Sequence, residues 1–143
     1  MTRPEVKEFI ESGAQLLQIP FDTGRITEFN SNRSNTYPFV FLETLSAQTT
    51  LSNSLPTDTY AIKIHVLSKD RIDSSNLEYE ELIDQADVIA QKLVKRYNDI
   101  LSNYNLVTIT GISRVPFIKK HADCLTGVLL SFNLLSQDTS GCD

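Results

Sequence analysis

Reactive side chains come closest together near the C-terminal end of the sequence, where His121 and Cys124 stand three positions apart. A thiol beside a base is the arrangement of a cysteine nucleophile, and both residue types are also preferred zinc ligands. A zinc site needs further ligands, and the remaining candidates, His65 and Cys142, are distant in the sequence. Because a loop is predicted to enter a strand here, the favoured interpretation of Cys124 is a small, partly buried apolar residue.

Other catalytic and cofactor-binding patterns are missing from the sequence. Its five glycines are scattered without a GxGxxG or GxxxxGK phosphate loop, and no serine lies in a GxSxG elbow. The carboxylates of Glu80 and Glu81 fall on the predicted solvent face of a helix, where perturbed titration is not expected. Cys124 and Cys142 are most simply reduced thiols, with a disulfide as the less favoured alternative. We therefore expect no enzyme activity, no catalytic residue, no cofactor and no bound metal.

Positive charge outside the helices is concentrated at Arg114, Lys119, Lys120 and His121. Such a group could line a channel that passes DNA, but it is more typical of a solvated tip or a docking point for an acidic partner. The net charge of −5 at pH 7 should make the whole molecule repel nucleic acid. No apolar run approaches the roughly 20 residues that cross a membrane, and the N-terminus lacks the pattern of a secretory signal. We expect no membrane association and no DNA wrapping.

The length of 143 residues, with 41% hydrophobic and 22% charged residues, fits one domain spanning 1–143. Thr2 and Glu5 form a capping box around Pro4, which predicts a first helix whose extent is limited by Ile19-Pro20. A second capping box precedes the strongest pattern in the chain, an apolar stripe at three- and four-residue spacing. This stripe predicts a long amphipathic helix, roughly Glu78 to Leu101. Acidic residues in its first half and basic residues in its second half complement the helix dipole.

Four strands are predicted around these helices. The segment 37–43 is apolar and aromatic, and 59–67 alternates with one buried and one mixed face. After the long helix, 106–112 and 127–135 are predicted to form a hairpin that protrudes beyond the sheet. Residues 22–36 and 44–58 are polar and are predicted to be long loops, and 136–143 is predicted to be a loose tail. The predicted fold is α+β, with a four-stranded antiparallel sheet and both helices on one side, in the order α-β-β-α-β-β.

This organisation resembles the tail-completion, tail-terminator and head-to-tail connector (neck ring) proteins of tailed bacteriophages. Those small α+β subunits have an N-terminal helix, a long loop, an antiparallel sheet, a long helix across it and a final pair of strands. That order covers nearly the whole chain. The local sequence is also similar to such proteins from phages of Bacteroidetes, in Tyr37-Pro-Phe-Val-Phe-Leu-Glu43, in the strand Tyr60–Val66, and in Ala122–Val128 leading into Ser131–Leu134.

The resemblance implies a structural virion protein, made in the host cytoplasm, that forms a homo-oligomeric ring at the junction of portal and tail. Such rings commonly have six or twelve copies. Portal, adaptor or tail proteins are the implied partners, and DNA passes through the ring without being specifically bound. Polar loops that are costly to order alone would be explained if neighbouring subunits hold them. The candidate interface residues lie in or beside the two loops and in the final hairpin: Phe29, Asn32, Arg33, Tyr37, Leu51, Leu55, Arg114, Phe117, Lys119 and Lys120.

Two further interpretations of the same elements stay open. One is a monomeric small-ligand-binding or regulatory α+β domain whose loops close over a small molecule. The other is a thiol or metal enzyme built on His121 and Cys124. A ligand that raises the thermal stability would support the first, and loss of an activity in Cys124→Ser would support the second.

Overall fold

The structure, a computed structural model, describes residues 2–24, 38–52, 55–69, 76–102, 107–120 and 125–137. These residues form two helices and six strands, so the predicted α+β class is confirmed but the predicted number of strands is wrong. The elements in chain order are α1 (Arg3–Leu16), β1 (Phe21–Gly24), β2 (Phe39–Glu43), β3 (Ser46–Ser52), β4 (Leu55–Lys69), α2 (Asn76–Leu101), β5 (Val107–Lys120) and β6 (Leu125–Gln137).

Helix α1 begins at the predicted cap. The Thr2 hydroxyl accepts a hydrogen bond from the Glu5 backbone N–H at 3.4 Å and donates one to Glu5 Oε1 at 3.1 Å. This satisfies one of the N–H groups that the first turn of a helix leaves without a partner. The helix ends before Gln18, whose φ of 58° is left-handed and incompatible with a continuing α-helix. The helix therefore ends at Leu16, within the limit predicted at Ile19-Pro20.

The main core lies between the two helices and one face of the sheet. The predicted stripe on α2 supplies Ala86, Ala90, Leu93, Tyr97 and Leu101, and α1 supplies Val6, Phe9, Ile10 and Ala14. The sheet supplies Val40, Leu42, Tyr60, Ile62, Ile64, Val66, Val128, Leu130, Phe132 and Leu134. Alternate residues of β4 and β6 point into this core, so the predicted alternation of both strands is confirmed, and both helices pack on one face of the sheet.

The two helices approach each other closely where Gly13 of α1 meets Tyr97 of α2. A Cβ atom at position 13 would lie 2.5 Å from Tyr97 Cε1, which is closer than carbon atoms pack. The Tyr97 hydroxyl donates a hydrogen bond to the Ile10 carbonyl oxygen at 2.9 Å. Glycine at this position therefore lets the aromatic ring reach the backbone of α1 and tie the helices together.

The sheet is organised around β4. Along one edge, β4 pairs antiparallel with β6 from Thr57↔Gln137 to Lys69↔Leu125, and β5 pairs with the far side of β6. Along its other edge, β4 pairs first with β3 and then with β2, while β1 pairs with β2 in parallel. The strand order is β1-β2-β4-β6-β5, with β3 on β4 outside this path. Thus β3 and β5 lie at opposite edges of the sheet.

Three predictions of irregular structure are wrong for the residues that the structure describes. The predicted loop 44–58 contains strand β3 and the first residues of β4, and Ser52↔Leu55 is the last pair of this hairpin. The predicted loop 22–36 begins inside β1, and its residues 25–36 lie outside the described residues. Strand β6 continues to Gln137, so the predicted tail begins later, and 138–143 lies outside the described residues. Backbone pairing, which needs no apolar side chains, holds these segments in the sheet.

The final hairpin is longer than predicted. Strand β5 continues past Ile112 to Lys120, and its pairing with β6 shifts between Thr110 and Ser113. Gly111 lies at this irregularity with a φ of +66°, a conformation that glycine adopts without steric cost. The irregularity accounts for the early end that the sequence pattern predicted, because it interrupts the alternation of side chains along β5.

Candidate assembly surface

Strand β3 and residues 55–61 of β4 form a hairpin that we call the β3–β4 arm. The side chains of 46–51 are exposed, and Leu51 is 80% exposed. Thr49 Oγ1 donates a hydrogen bond to Asp58 Oδ1 across the hairpin at 2.7 Å. The arm is thus held by its backbone ladder and this cross-strand contact, and it presents a large apolar side chain to solvent near the turn.

The outer edge of β3 lacks the proline and the charged residues that often protect an edge strand. Its seven residues, Ser46–Ser52, include no proline and no charged side chain. Within the described part of the chain, no strand pairs with this edge. Strand β5, at the other side of the sheet, differs: it has the irregularity at Gly111, the charged Arg114 and Pro116. Proteins usually blunt free edges with charges, prolines and bulges because an unguarded edge invites pairing with another chain.

A groove of about 570 Å³ lies between the second half of α2 and the start of β5, and we call it the α2–β5 groove. Its apolar lining comes from Val94, Leu101, Val107, Ile109 and Ile112. Its polar lining comes from Gln91, Lys95, Asn98, Ser102 and Thr108. Ile112 lies at the irregularity in β5 and is 48% exposed. The groove is therefore an open apolar surface with a polar rim.

A second groove, of about 620 Å³, lies where the N-terminus of α1 meets the end of β1 and the link into β3. Its lining is Arg3, Pro4, Lys7, Thr23, Gly24, Leu42, Thr44 and Leu45. Since Leu45 is followed directly by Ser46, this groove adjoins the base of the β3–β4 arm. It lies toward the same edge of the sheet as the arm, whereas the α2–β5 groove lies toward the opposite edge, along β5.

Arg114 connects β5 to α2. Its Nη1 lies 3.1 Å from Asp87 Oδ2, and the same oxygen accepts a hydrogen bond from Gln91 Nε2 at 3.0 Å. The Arg114 and Asp87 side chains are both about one third exposed, so solvent screens the pair and its net contribution to stability is small. The Arg114 charge is nevertheless met within the domain, which weakens the interpretation of this basic segment as a DNA-facing surface.

A buried histidine lies on the sheet face opposite the helices. His65 is 2% exposed, and its Nε2 is 3.0 Å from Glu43 Oε2. Its ring meets Phe117 edge-on, with centroids 6.0 Å apart, beside the small apolar cluster of Phe39, Phe41 and Leu67. The sequence prediction missed this pair, since it depends on the register Phe41↔His65, which places Glu43 diagonally across from the histidine. A carboxylate in this position orients the imidazole ring.

The predicted interface residues are distributed over different environments. Leu51 is exposed on the β3–β4 arm, Arg114 is paired with Asp87, and Phe117 is half-buried in the cluster beside His65. Leu55 begins β4, and Lys119 and Lys120 end β5, but the side chains of these three lie outside the described residues. Four further predicted residues lie entirely outside the described residues: Phe29, Asn32, Arg33 and Tyr37. Among the predicted residues whose side chains are described, Leu51 is the most exposed apolar one.

Across the described ranges, no group of three or more His, Cys, Asp or Glu side chains is placed to hold a metal ion. None of the helices described is long and apolar enough to cross a membrane. His121 and Cys124, the predicted base and thiol, lie outside the described residues.

Comparison with protein-family models and with curated proteins gives no match.

Proposed function

We propose that this chain is a structural subunit that assembles with copies of itself into a closed ring. The observation that carries the proposal is the β3–β4 arm, with its exposed Leu51 and an outer edge that no other strand pairs with among the described residues. An edge of this kind is a template for pairing with another chain, and a solvent-exposed leucine gains free energy when a neighbour covers it. A ring needs two different, complementary surfaces on each subunit, and β3 and β5 supply edges on opposite sides of the sheet.

The ring is proposed to be the neck or tail-completion ring of a tailed bacteriophage, at the junction of portal and tail. Support comes from the element order: an N-terminal helix, an antiparallel sheet, a long helix across it and a final long hairpin. Portal, adaptor or tail proteins would be its partners in the virion. The net charge of −5 suits a conduit, since a negative wall lets DNA slide without gripping it.

A monomeric ligand-binding domain is the second candidate, and the two grooves favour it. Their volumes of about 570 and 620 Å³ lie within the range of small-molecule sites. A ligand that enters either groove should raise the melting temperature, because it binds the folded state alone. A metabolite panel in a thermal-shift assay would reveal this, and virions would assemble normally without the gene.

The experiment that tests the phage assignment is deletion of the gene from the phage that encodes it, with imaging of the particles formed. The proposal predicts filled or partly filled heads separated from tails, and complementation by the wild-type gene should restore joined virions. In complemented virions, a label fused to the subunit should lie at the portal and tail junction. Normal virions after deletion, or a label elsewhere in the cell, would contradict the assignment.

A further inference from the structure

We infer that Leu51 of one subunit inserts into the α2–β5 groove of the next copy of the chain. This inference rests on the proposed assembly and names its contact. Leu51 is 80% exposed, and within the single chain the groove exposes Ile112 at 48% and leaves Val94, Val107 and Ile109 only partly buried. Each apolar surface would be removed from water by the other, and the groove has room for Leu51 together with neighbouring residues of the arm.

The position of the two surfaces matches a repeating contact. The arm lies at the edge of the sheet where β3 pairs with β4, and the groove lies along β5 at the opposite edge. Directly paired residues share a face, so Leu51 lies on the same face as its partner Pro56, and by alternation on that of the core residue Tyr60. That is the face that carries the helices, and the groove is on it as well. A subunit can therefore donate the arm at one side while it accepts an arm at the other.

Charge complementarity supports a second copy as the occupant. The sequence from 46 to 61 contains one charged residue, Asp58, which pairs with Thr49 and therefore shares the face of Leu51. Lys95 is the one charged residue among the described residues that line the groove. A carboxylate on the arm and an ammonium on the rim of the groove would attract each other and fix the direction of docking.

The other groove is a poorer acceptor for this arm. It carries two cations, Arg3 and Lys7, but it adjoins the base of the arm on the same side of the sheet. An arm docked there would bring the β3 edges of two subunits together. Such a contact closes into a twofold dimer and leaves the α2–β5 groove of each subunit empty. A heterologous contact that continues from subunit to subunit needs donor and acceptor on different sides.

Disulfide trapping tests this contact directly, even when association is weak. In a background with Cys124→Ser and Cys142→Ser, the variant that combines Leu51→Cys with Ile112→Cys should form a covalent ladder of dimers, trimers and larger species on oxidation. The two single-cysteine variants, when mixed, should stop at dimers, and each alone should stay largely monomeric. The matched control combines Thr50→Cys with Val115→Cys: both residues are exposed, Val115 is 53% exposed, and neither lines the groove.

The outcomes separate this contact from the assembly in general. Efficient crosslinking of Leu51→Cys alone would indicate arm-to-arm pairing and overturn the inference, as would an equal ladder from the control pair or no ladder. If one of these results is found but the wild-type protein has the mass of a ring in light scattering, the Leu51 contact is wrong and the proposed ring assembly is retained. If the wild type is also monomeric, the proposed assembly fails as well.

A charge exchange provides a second readout without cysteines. Asp58→Lys should weaken association several-fold, and Lys95→Asp in the same chain should restore most of it, because the pair is then reversed across the interface. The thermal unfolding of each variant, measured by circular dichroism, shows whether the fold is retained. Folded single variants with unchanged association, or a double variant no stronger than the singles, would count against the contact.

Discussion

Tyr97 offers a sharp test of how the two helices are joined, because Tyr97→Phe removes one oxygen and keeps the ring. Tyr97 is fully buried, its hydroxyl donates to the Ile10 carbonyl oxygen at 2.9 Å, and its ring packs on Phe9 and Phe132 with centroids 5.0 and 5.9 Å away. Burial raises the pKa of the phenol well above its ordinary value. The substitution should therefore affect stability in one direction at neutral pH and in the other at alkaline pH.

At pH 7 the variant loses one buried neutral hydrogen bond, so its free energy of unfolding should fall by about 1 kcal/mol. Above pH 10 the phenol ionises in the unfolded chain and stays protonated in the folded one. A group whose folded pKa is raised contributes stability that is lost as the pH rises above its unfolded pKa. The wild type should thus lose about 1.4 kcal/mol by pH 11 relative to the variant, which has no phenol at this position.

The assay is urea unfolding of both proteins, followed by circular dichroism at several values between pH 7 and pH 11. The wild type should be more stable at neutral pH, and the order should reverse near pH 11. Titration of every other group is common to both proteins and cancels in the difference. If the difference in unfolding free energy between the two proteins stays constant with pH, the phenol is not buried as described. If the two proteins are equally stable at pH 7, the hydrogen bond does not contribute to stability.

Three further substitutions probe the cap, the sheet and the surface. A Cβ at Gly127 would overlap the Val66 carbonyl oxygen, so Gly127→Ala should lower the free energy of unfolding by about 3 kcal/mol or leave the chain unfolded, measured by urea titration. Thr2→Ala should cost about 0.5–1 kcal/mol in the same titration, because the first turn of α1 loses its cap. Arg114→Ala should change stability by less than about 0.5 kcal/mol, since its pair with Asp87 is solvent-screened. A loss above about 2 kcal/mol would place that pair in the core instead.

The sequence predicts best where one face of an element is buried and the other is not. The stripe on α2 and the alternation in β4 and β6 reflect this asymmetry, so their helix and strand assignments are confirmed. Strand β3 was missed for the opposite reason. The side chains of 46–51 are exposed on both faces, so apolar and polar residues have no cause to alternate, and the polar Ser46–Ser52 resembles a loop.

The candidate surface could be predicted only in part. Leu51 stands out as a large apolar residue in a polar segment, and its interface role, implied by the resemblance, stays a prediction. The α2–β5 groove was not predicted, because Val94 and Ile112 belong to different elements and meet only through the packing of α2 on the hairpin. The contact between His65 and Glu43 likewise depends on the register of two strands that are separated by β3 in the chain.

The mass of the purified wild-type protein in solution, measured by light scattering over a wide range of concentrations, tests the proposed assembly most directly. The proposal predicts a closed species whose mass is a fixed multiple of the chain mass and does not grow further with concentration. Leu51→Asp should return this species to the monomer, whereas Thr50→Asp, one position away on the opposite face of the arm, should leave most of it intact. A wild type that stays monomeric at every concentration, or a closed species that Leu51→Asp does not affect, would contradict assembly through the β3–β4 arm.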